Sequence, residues 1–185
     1  TQNHGGEDYW VVKLDNGGEL AWERSLGGSG ADNAYSIQET SDGGFVVAGS
    51  SSSVNGDVTD NHGDRDFWVV KLDSLGNQVW QRSLGGSGWD EALSIQETSD
   101  GGFIVAGFSD SIDGDVTGNH GFMDYWVVKL DDGGGLRWQK CLGGSGTETA
   151  RSIQQTTDGG YIMAGQALSS NDGDVSGNHG GSDAW

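Results

Sequence analysis

The chain has 185 residues, among them 35 glycines, eight tryptophans and no proline, and its 28 acidic against nine basic side chains give a formal net charge of −19. That acidity repels a polyanion and excludes nucleic-acid binding through phosphate contacts. Glycine far above its usual share of roughly 7% without a G-X-Y period or proline is not collagen, and the tryptophans and paired β-branched residues are too apolar for a disordered chain.

In chain order, Ala34–Thr40 reads as a strand closed by the turn Ser41-Asp42-Gly43-Gly44. Asp-Gly and Gly-Gly supply the positive φ that a tight hairpin needs. Phe45–Ser50 follows as a strand apolar on both faces, and a long loop, Ser51–Arg65, comes next. Asp66–Asp73 is a third strand, with Trp68, Val70 and Leu72 on one face and Phe67, Val69 and Lys71 on the other. The turn Ser74-Leu75-Gly76-Asn77 leads to a fourth strand, Gln78–Leu84, whose mixed faces suit a solvated edge. No helical period of useful length is present, so the class is all-β.

This block repeats. GGSG begins at Gly27, Gly85 and Gly143, and Trp22, Trp80 and Trp138 recur at the same spacing of 58 residues. Asn-His-Gly begins at Asn3, Asn61, Asn119 and Asn178, with one inserted residue around Gln166–Asn171 in the third unit. Four antiparallel strands per unit at near-constant length describe β-propeller blades. Residues 1–185 thus form one array: strands three and four of a split blade at 8–26, whole blades at 32–84 and 90–142, and strands one and two of another split blade, with the start of its third, at 148–185.

The run DYWVVKLDxxGxxxWxxxLGGSGxDxAxSIQxTxDGGFxVAG resembles the bacterial β-propeller repeats of the SBBP type, which read roughly DAFVAKLxxxGxxxYxTYLGGSxxDxAxxIAVDxxGNxYVTG. The resemblance implies a propeller fold and a secreted or surface-exposed protein of bacteria or archaea, and it brings no catalytic residues. Complete propellers usually have four or more blades. The chain is therefore expected either to belong to a longer array or to complete a propeller with a partner chain, such as a six-bladed homodimer.

Two chemistries compete for the interblade loop. Asp57, Asn61 and Asp66 in the first unit, Asp113, Asp115, Asn119 and Asp124 in the second, and Asp172, Asp174, Asn178 and Asp183 in the third alternate with glycine. Such oxygens can wrap Ca²⁺, or they can cap turns by accepting backbone N–H bonds. The terminal Glu of an EF-hand is missing. His4, His62, His120 and His179 share a column without a second zinc ligand at useful spacing, so a seat on a neighbouring blade's aromatic ring is expected. The tryptophan columns are expected to fill the space between blades. Trp89 breaks its column, where Ala31 and Thr147 stand. Asp32, Asp90 and Glu148 are expected near one mouth of a ring, as a solvated rim or a second cation site, and Asp15, Asp73 and Asp131 as turn starters.

Catalysis finds no asymmetric constellation, since Ser and His occur in every unit and Cys141 stands where Ser25 and Ser83 are found. No 18-residue apolar run suggests a membrane span, and the lack of a leader or initiator Met fits a mature or excised piece. The expected function is a non-catalytic extracellular scaffold or adhesion module. The alternatives are a lectin-like, glycan-binding propeller and an engineered or recently amplified repeat.

Overall fold

The computed structural model describes residues 3–168 and 171–185. It is all-β among those residues, with antiparallel sheets of two to four strands. The first sheet pairs β1 (Tyr9–Leu14) with β2 (Leu20–Leu26). The second is the four-stranded meander β3 (Asp32–Glu39), β4 (Phe45–Ser51), β5 (Asp66–Leu72) and β6 (Gln78–Leu84). The third repeats it as β7 (Asp90–Glu97), β8 (Phe103–Ser109), β9 (Asp124–Leu130) and β10 (Leu136–Leu142). The fourth holds β11 (Glu148–Gln155), β12 (Tyr161–Ala167) and the two-residue β13 (Asp183–Ala184).

Strand positions follow the sequence reading within two residues. The first strand of the unit begins two residues earlier than expected, because Asp32 already pairs with Ser51. Positive-φ glycines at Gly43 and Gly101 make the hairpins that return β4 and β8. Asp15 and Asp73 start the outer turns as expected: Asp15 Oδ1 accepts the Gly17 and Glu19 N–H groups, and Asp73 Oδ1 those of Leu75 and Asn77.

The sheets stack face to face, with an apolar layer between each successive pair. Tyr9, Val11, Trp68, Val70 and Leu72 fill the layer between the first two sheets. Val46, Phe67, Val69, Ile95, Val105 and Trp126 fill the second. Ile104, Tyr125, Val127, Ile153 and Met163 form the third. Middle strands β5 and β9 are buried on both faces, which is why both their side-chain rows are apolar. Besides the aspartates that open these strands, Asp66 and Asp124, the exception is a lysine: Lys71 in β5 and Lys129 in β9 reach out to Asp42 and Asp100 at 2.9 and 3.0 Å. Outer strands β6 and β10 are largely exposed in their first halves, as their mixed composition implies.

Backbone-level links repeat at unit spacing across the stack. The N–H groups of Asp32, Asp90 and Glu148 donate to the carbonyls of Glu7, Arg65 and Met123, each at 2.6 Å. Ile95 N donates to Ser36 Oγ and Ile153 N to Ser94 Oγ, both at 3.2 Å. Gly49 shows why a glycine is required in the Ala-Gly pair: a Cβ there would overlap the Asn33 carbonyl oxygen and approach the Tyr9 hydroxyl of the adjacent sheet to 2.6 Å.

Both ends of the stack are open. Trp10 is 66% exposed, whereas Trp68 and Trp126 at the same column are 0% exposed. Tryptophans of this column therefore fill an inter-sheet layer only where a preceding sheet is present, as Tyr9 is for Trp68 and Phe67 for Trp126. Trp22, Trp80 and Trp138 each meet the edge of the next sheet's aromatic ring, Phe45, Phe103 and Tyr161, at 5.6–5.7 Å between centroids.

Candidate functional site

The expected loop residues gather over the GGSG turns, where each does a fixed structural job. Gly27 N donates to Asp57 Oδ2 at 3.1 Å and Ser29 N to Asn55 Oδ1 at 2.8 Å. In the second unit Gly85 N donates to Asp115 and Ser87 N to Asp113, at 3.3 and 2.7 Å. In the third, Gly143 N donates to Asp174 and Ser145 N to Asp172, at 3.4 and 3.0 Å. The long loop is thus strapped down on its own unit's glycine turn.

Asn61, Asn119 and Asn178 point elsewhere. Their amide groups donate back to the carbonyls of Ser51, Ser109 and Ala167, while their Oδ1 atoms accept the N–H groups of Gly63, Gly121 and Gly180. Asp66 Oδ2 accepts both the backbone N–H and the ring Nδ1 of His62, at 2.8 Å each. Asp124 and His120 repeat this at 2.9 and 2.7 Å, and Asp8 and His4 at 2.8 and 3.2 Å. Asp183 accepts the His179 backbone N–H at 2.6 Å, with the ring 3.9 Å away. The partner of each histidine ring is thus an aspartate of its own loop rather than the expected aromatic of the next unit. Every proposed cation ligand is engaged in such loop closure. Among the described residues no group of three or more His, Cys, Asp or Glu side chains is placed to hold a metal ion.

The acid column is a correction to the sequence reading. Asp32, Asp90 and Glu148 are 0–1% exposed and form no solvated rim. Asp32 Oδ2 accepts Gly28 N and Ser53 Oγ at 2.8 and 2.9 Å, and its Oδ1 accepts the Ser51 hydroxyl. The GG turn wraps its own acid, a pairing that linear spacing does not announce. Each acid then faces a strand-three aspartate across a glycine. A Cβ on Gly85 would approach Asp66 Oδ1 to 2.9 Å and overlap Asp90 Oδ2, and Gly27 and Gly143 stand likewise between Asp8 and Asp32 and between Asp124 and Glu148. Burial, aided by the charge of Asp66, pushes the Asp90 carboxyl up to about 6. Burial also raises Asp66 and Asp124. His62 ends above its ordinary value because its bond to Asp66 and that charge outweigh the opposing effect of burial.

One place breaks the repeat. Arg65, Trp89, Glu91 and Phe108 stand where the other units have Glu7 and Met123, Ala31 and Thr147, Asn33 and Thr149, and Ser50 and Gln166. The Trp89 ring meets Phe108 edge-on at 5.6 Å, and the Arg65 guanidinium lies over it at 5.5 Å. Arg65 also reaches Glu91 at 3.4 Å. Tyr35 adds a half-exposed phenol whose pKa is raised by burial and by the Glu91 charge. Trp89, 41% exposed, is the member that sequence reading singled out. Arg65, Glu91 and Phe108 also depart from their columns in the sequence, but only the fold brings them to Trp89.

No family model matches the chain. It is 32% identical over 114 residues to the regulatory protein FlaEY of Caulobacter vibrioides, a match covering 58% of this chain and 12% of that protein. The crystal structure of a protein of unknown function from Bacteroides caccae superposes with a TM-score of 0.52 at 11% identity, covering 92% of this chain and 53% of that one. The chain therefore spans about half of that structure and a small part of the Caulobacter protein. The structural likeness concerns the fold alone.

Proposed function

We propose that the chain is a non-catalytic repeat module of a secreted or cell-surface protein, its units acting as β-propeller blades that build a scaffold or adhesion surface. The carrying observation is uniformity. Asp57, Asp115 and Asp174 accept the same glycine N–H in successive units and the Asp–His pair of each loop closes the same turn, so these side chains hold the loops rather than forming a set of unlike acid, base and nucleophile. Catalysis needs such unlike groups within reach of one reacting atom. Consecutive four-stranded meanders stacked face to face are the layout of a propeller, and SBBP-like repeats supply the surface placement. Partners on this reading are neighbouring repeats or a second copy of the chain.

A second reading, a lectin-like module, is favoured by one observation: the half-exposed Trp89 ring beside Arg65, Glu91 and Tyr35. An aromatic face next to hydrogen-bonding charges is a platform on which a sugar ring can stack. A glycan array probed with the wild-type chain and with Trp89→Ala separates the two. The scaffold reading expects no glycan bound by either protein. Binding by the wild type that Trp89→Ala abolishes would replace it with the lectin reading.

A further inference from the structure

We infer that a second copy of this chain completes the open stack, its β1–β2 hairpin pairing with β12 and displacing β13 from that edge. This rests on the reading of the chain as an interaction module and names its partner and register. Within the chain, β4 and β8 pair along their whole length with β5 and β9. The equivalent strand β12 pairs along its length with β11, but its other edge is paired only at the end, where Gln166 and Ala167 meet Ala184 and Asp183, and Gly165 and Trp185 exchange backbone bonds of 2.7 and 3.1 Å. Asp183-Ala184-Trp185 there occupies the place that Asp8-Tyr9-Trp10 holds in the first sheet.

Among the described residues the edge of β1 opposite β2 is unpaired in turn, and the strand's sequence, YWVVKL, is identical to that of β9 from Tyr125 to Leu130. Continuing the register of β8 with β9 sets Ala167 against Asp8, Gly165 against Trp10, Met163 against Val12 and Tyr161 against Leu14. Trp10 then lands on Tyr125, which already stacks on Trp185 at 5.1 Å and donates its hydroxyl to the Trp185 carbonyl at 2.9 Å. The incoming strand reproduces that contact and extends the pairing to the rest of β12.

The opposite surfaces match as well. Trp10, Val12, Tyr35 and Ile37 line a groove of about 350 Å³ beside β1 and β3, where β12 of the other copy would lie. Ile37 and Ile162 are both exposed, whereas their equivalents Ile95 and Ile104 are buried. By the repeat of the bonds from Ile95 to Ser36 and from Glu97 to Gln38, the backbone of Ile37 and Glu39 would donate to Ser152 and Gln154 of the partner. Each chain both offers a hairpin and receives one, so two copies close into a ring of six sheets.

The test is a register-specific cross-link in the full chain, with Cys141→Ser removing the native thiol. Val12→Cys combined with Met163→Cys places the thiols on directly opposed positions, and oxidation is expected to give covalently joined pairs on a non-reducing gel. Val11→Cys with Met163→Cys turns one thiol to the other face of the sheet and is expected not to join. Trp10→Ala is expected to raise the concentration needed for association about tenfold or more, without changing the unfolding midpoint of the free chain. No association, or equal joining of both cysteine pairs, would overturn the inference. Association without the Val12–Met163 link would overturn it while leaving the module reading intact, whereas Trp89-dependent glycan binding would fell that reading alone.

Discussion

Tyr9 and Trp68 lie in different sheets, yet their rings stack at 4.4 Å and the Tyr9 hydroxyl donates to the Trp68 carbonyl at 2.8 Å. Phe67 and Trp126 repeat the stacking at 4.4 Å one unit on, without the hydroxyl. This ring pair, carried at unit spacing, joins one sheet to the next. Burial and neighbouring carboxylates hold the Tyr9 phenol well above its usual pKa.

Removing a buried ring from this layer leaves a cavity, whereas removing its exposed equivalent does not. Trp68→Ala is expected to cost about 3–5 kcal/mol, and Trp10→Ala no more than about 0.5 kcal/mol in the unassociated chain. Urea unfolding at a concentration below association measures both. Equal losses would show that the layer does not carry the stability.

The buried acids give stability a pH dependence of identifiable sign. Asp90 has a folded pKa of about 6, above its ordinary 3.8, so folding favours its neutral form. Its burden is absent below pH 3.8 and grows until pH 6, so this group makes stability fall as pH rises through that window. Asp42 and Asp100 act oppositely. Bonds from Thr40 and Lys71, and from Thr98 and Lys129, hold them well below 3.8, and their contribution is lost as pH falls under that value. Melting temperatures of the wild type and Asp90→Asn across pH 4–7 should converge toward the acid end, with the wild type declining more steeply toward neutrality. Parallel curves would contradict the assignment.

Gly49→Ala tests the close approach beneath Tyr9. The added methyl meets the Asn33 carbonyl and the Tyr9 hydroxyl, and overpacking of this kind costs about 1–3 kcal/mol. Gly177→Ala meets no atom within 4 Å, but it sits at φ +75, a backbone conformation costly for alanine. Both should lower the unfolding midpoint, but only Gly49→Ala should also disturb the near-ultraviolet signal of the stacked Tyr9 and Trp68.

If the Asp and Asn columns serve as caps, calcium should not matter. Saturating Ca²⁺ and an excess of chelator should leave the melting temperature unchanged, while Asp115→Ala, which frees the Gly85 N–H, should lower the unfolding free energy by about 1 kcal/mol. A rise with Ca²⁺ that chelator reverses would restore the calcium reading.

Strand positions were legible because every unit repeats its apolar runs and glycine turns, and repetition multiplies a weak local signal. Roles that depend on a neighbouring layer were not. Trp10 and Trp68 share a column and a local sequence, but one is exposed and the other enclosed, a difference set by which sheet lies alongside. Asp32 and Asp90 read as surface acids because their partners, the N–H groups of the preceding glycine turn and distant serines, form a cage only on folding. The Arg65–Trp89–Glu91 cluster draws on segments separated by the whole β5–β6 hairpin, so one column showed only Trp89.

On the inferred pairing, the open ends of this stack are two halves of one interface. Sedimentation equilibrium of the full chain from micromolar to sub-millimolar concentration tests it most directly. The mass should approach twice that of one chain as concentration rises, with the approach for Trp10→Ala shifted to higher concentration. A single-chain mass throughout that range would contradict it.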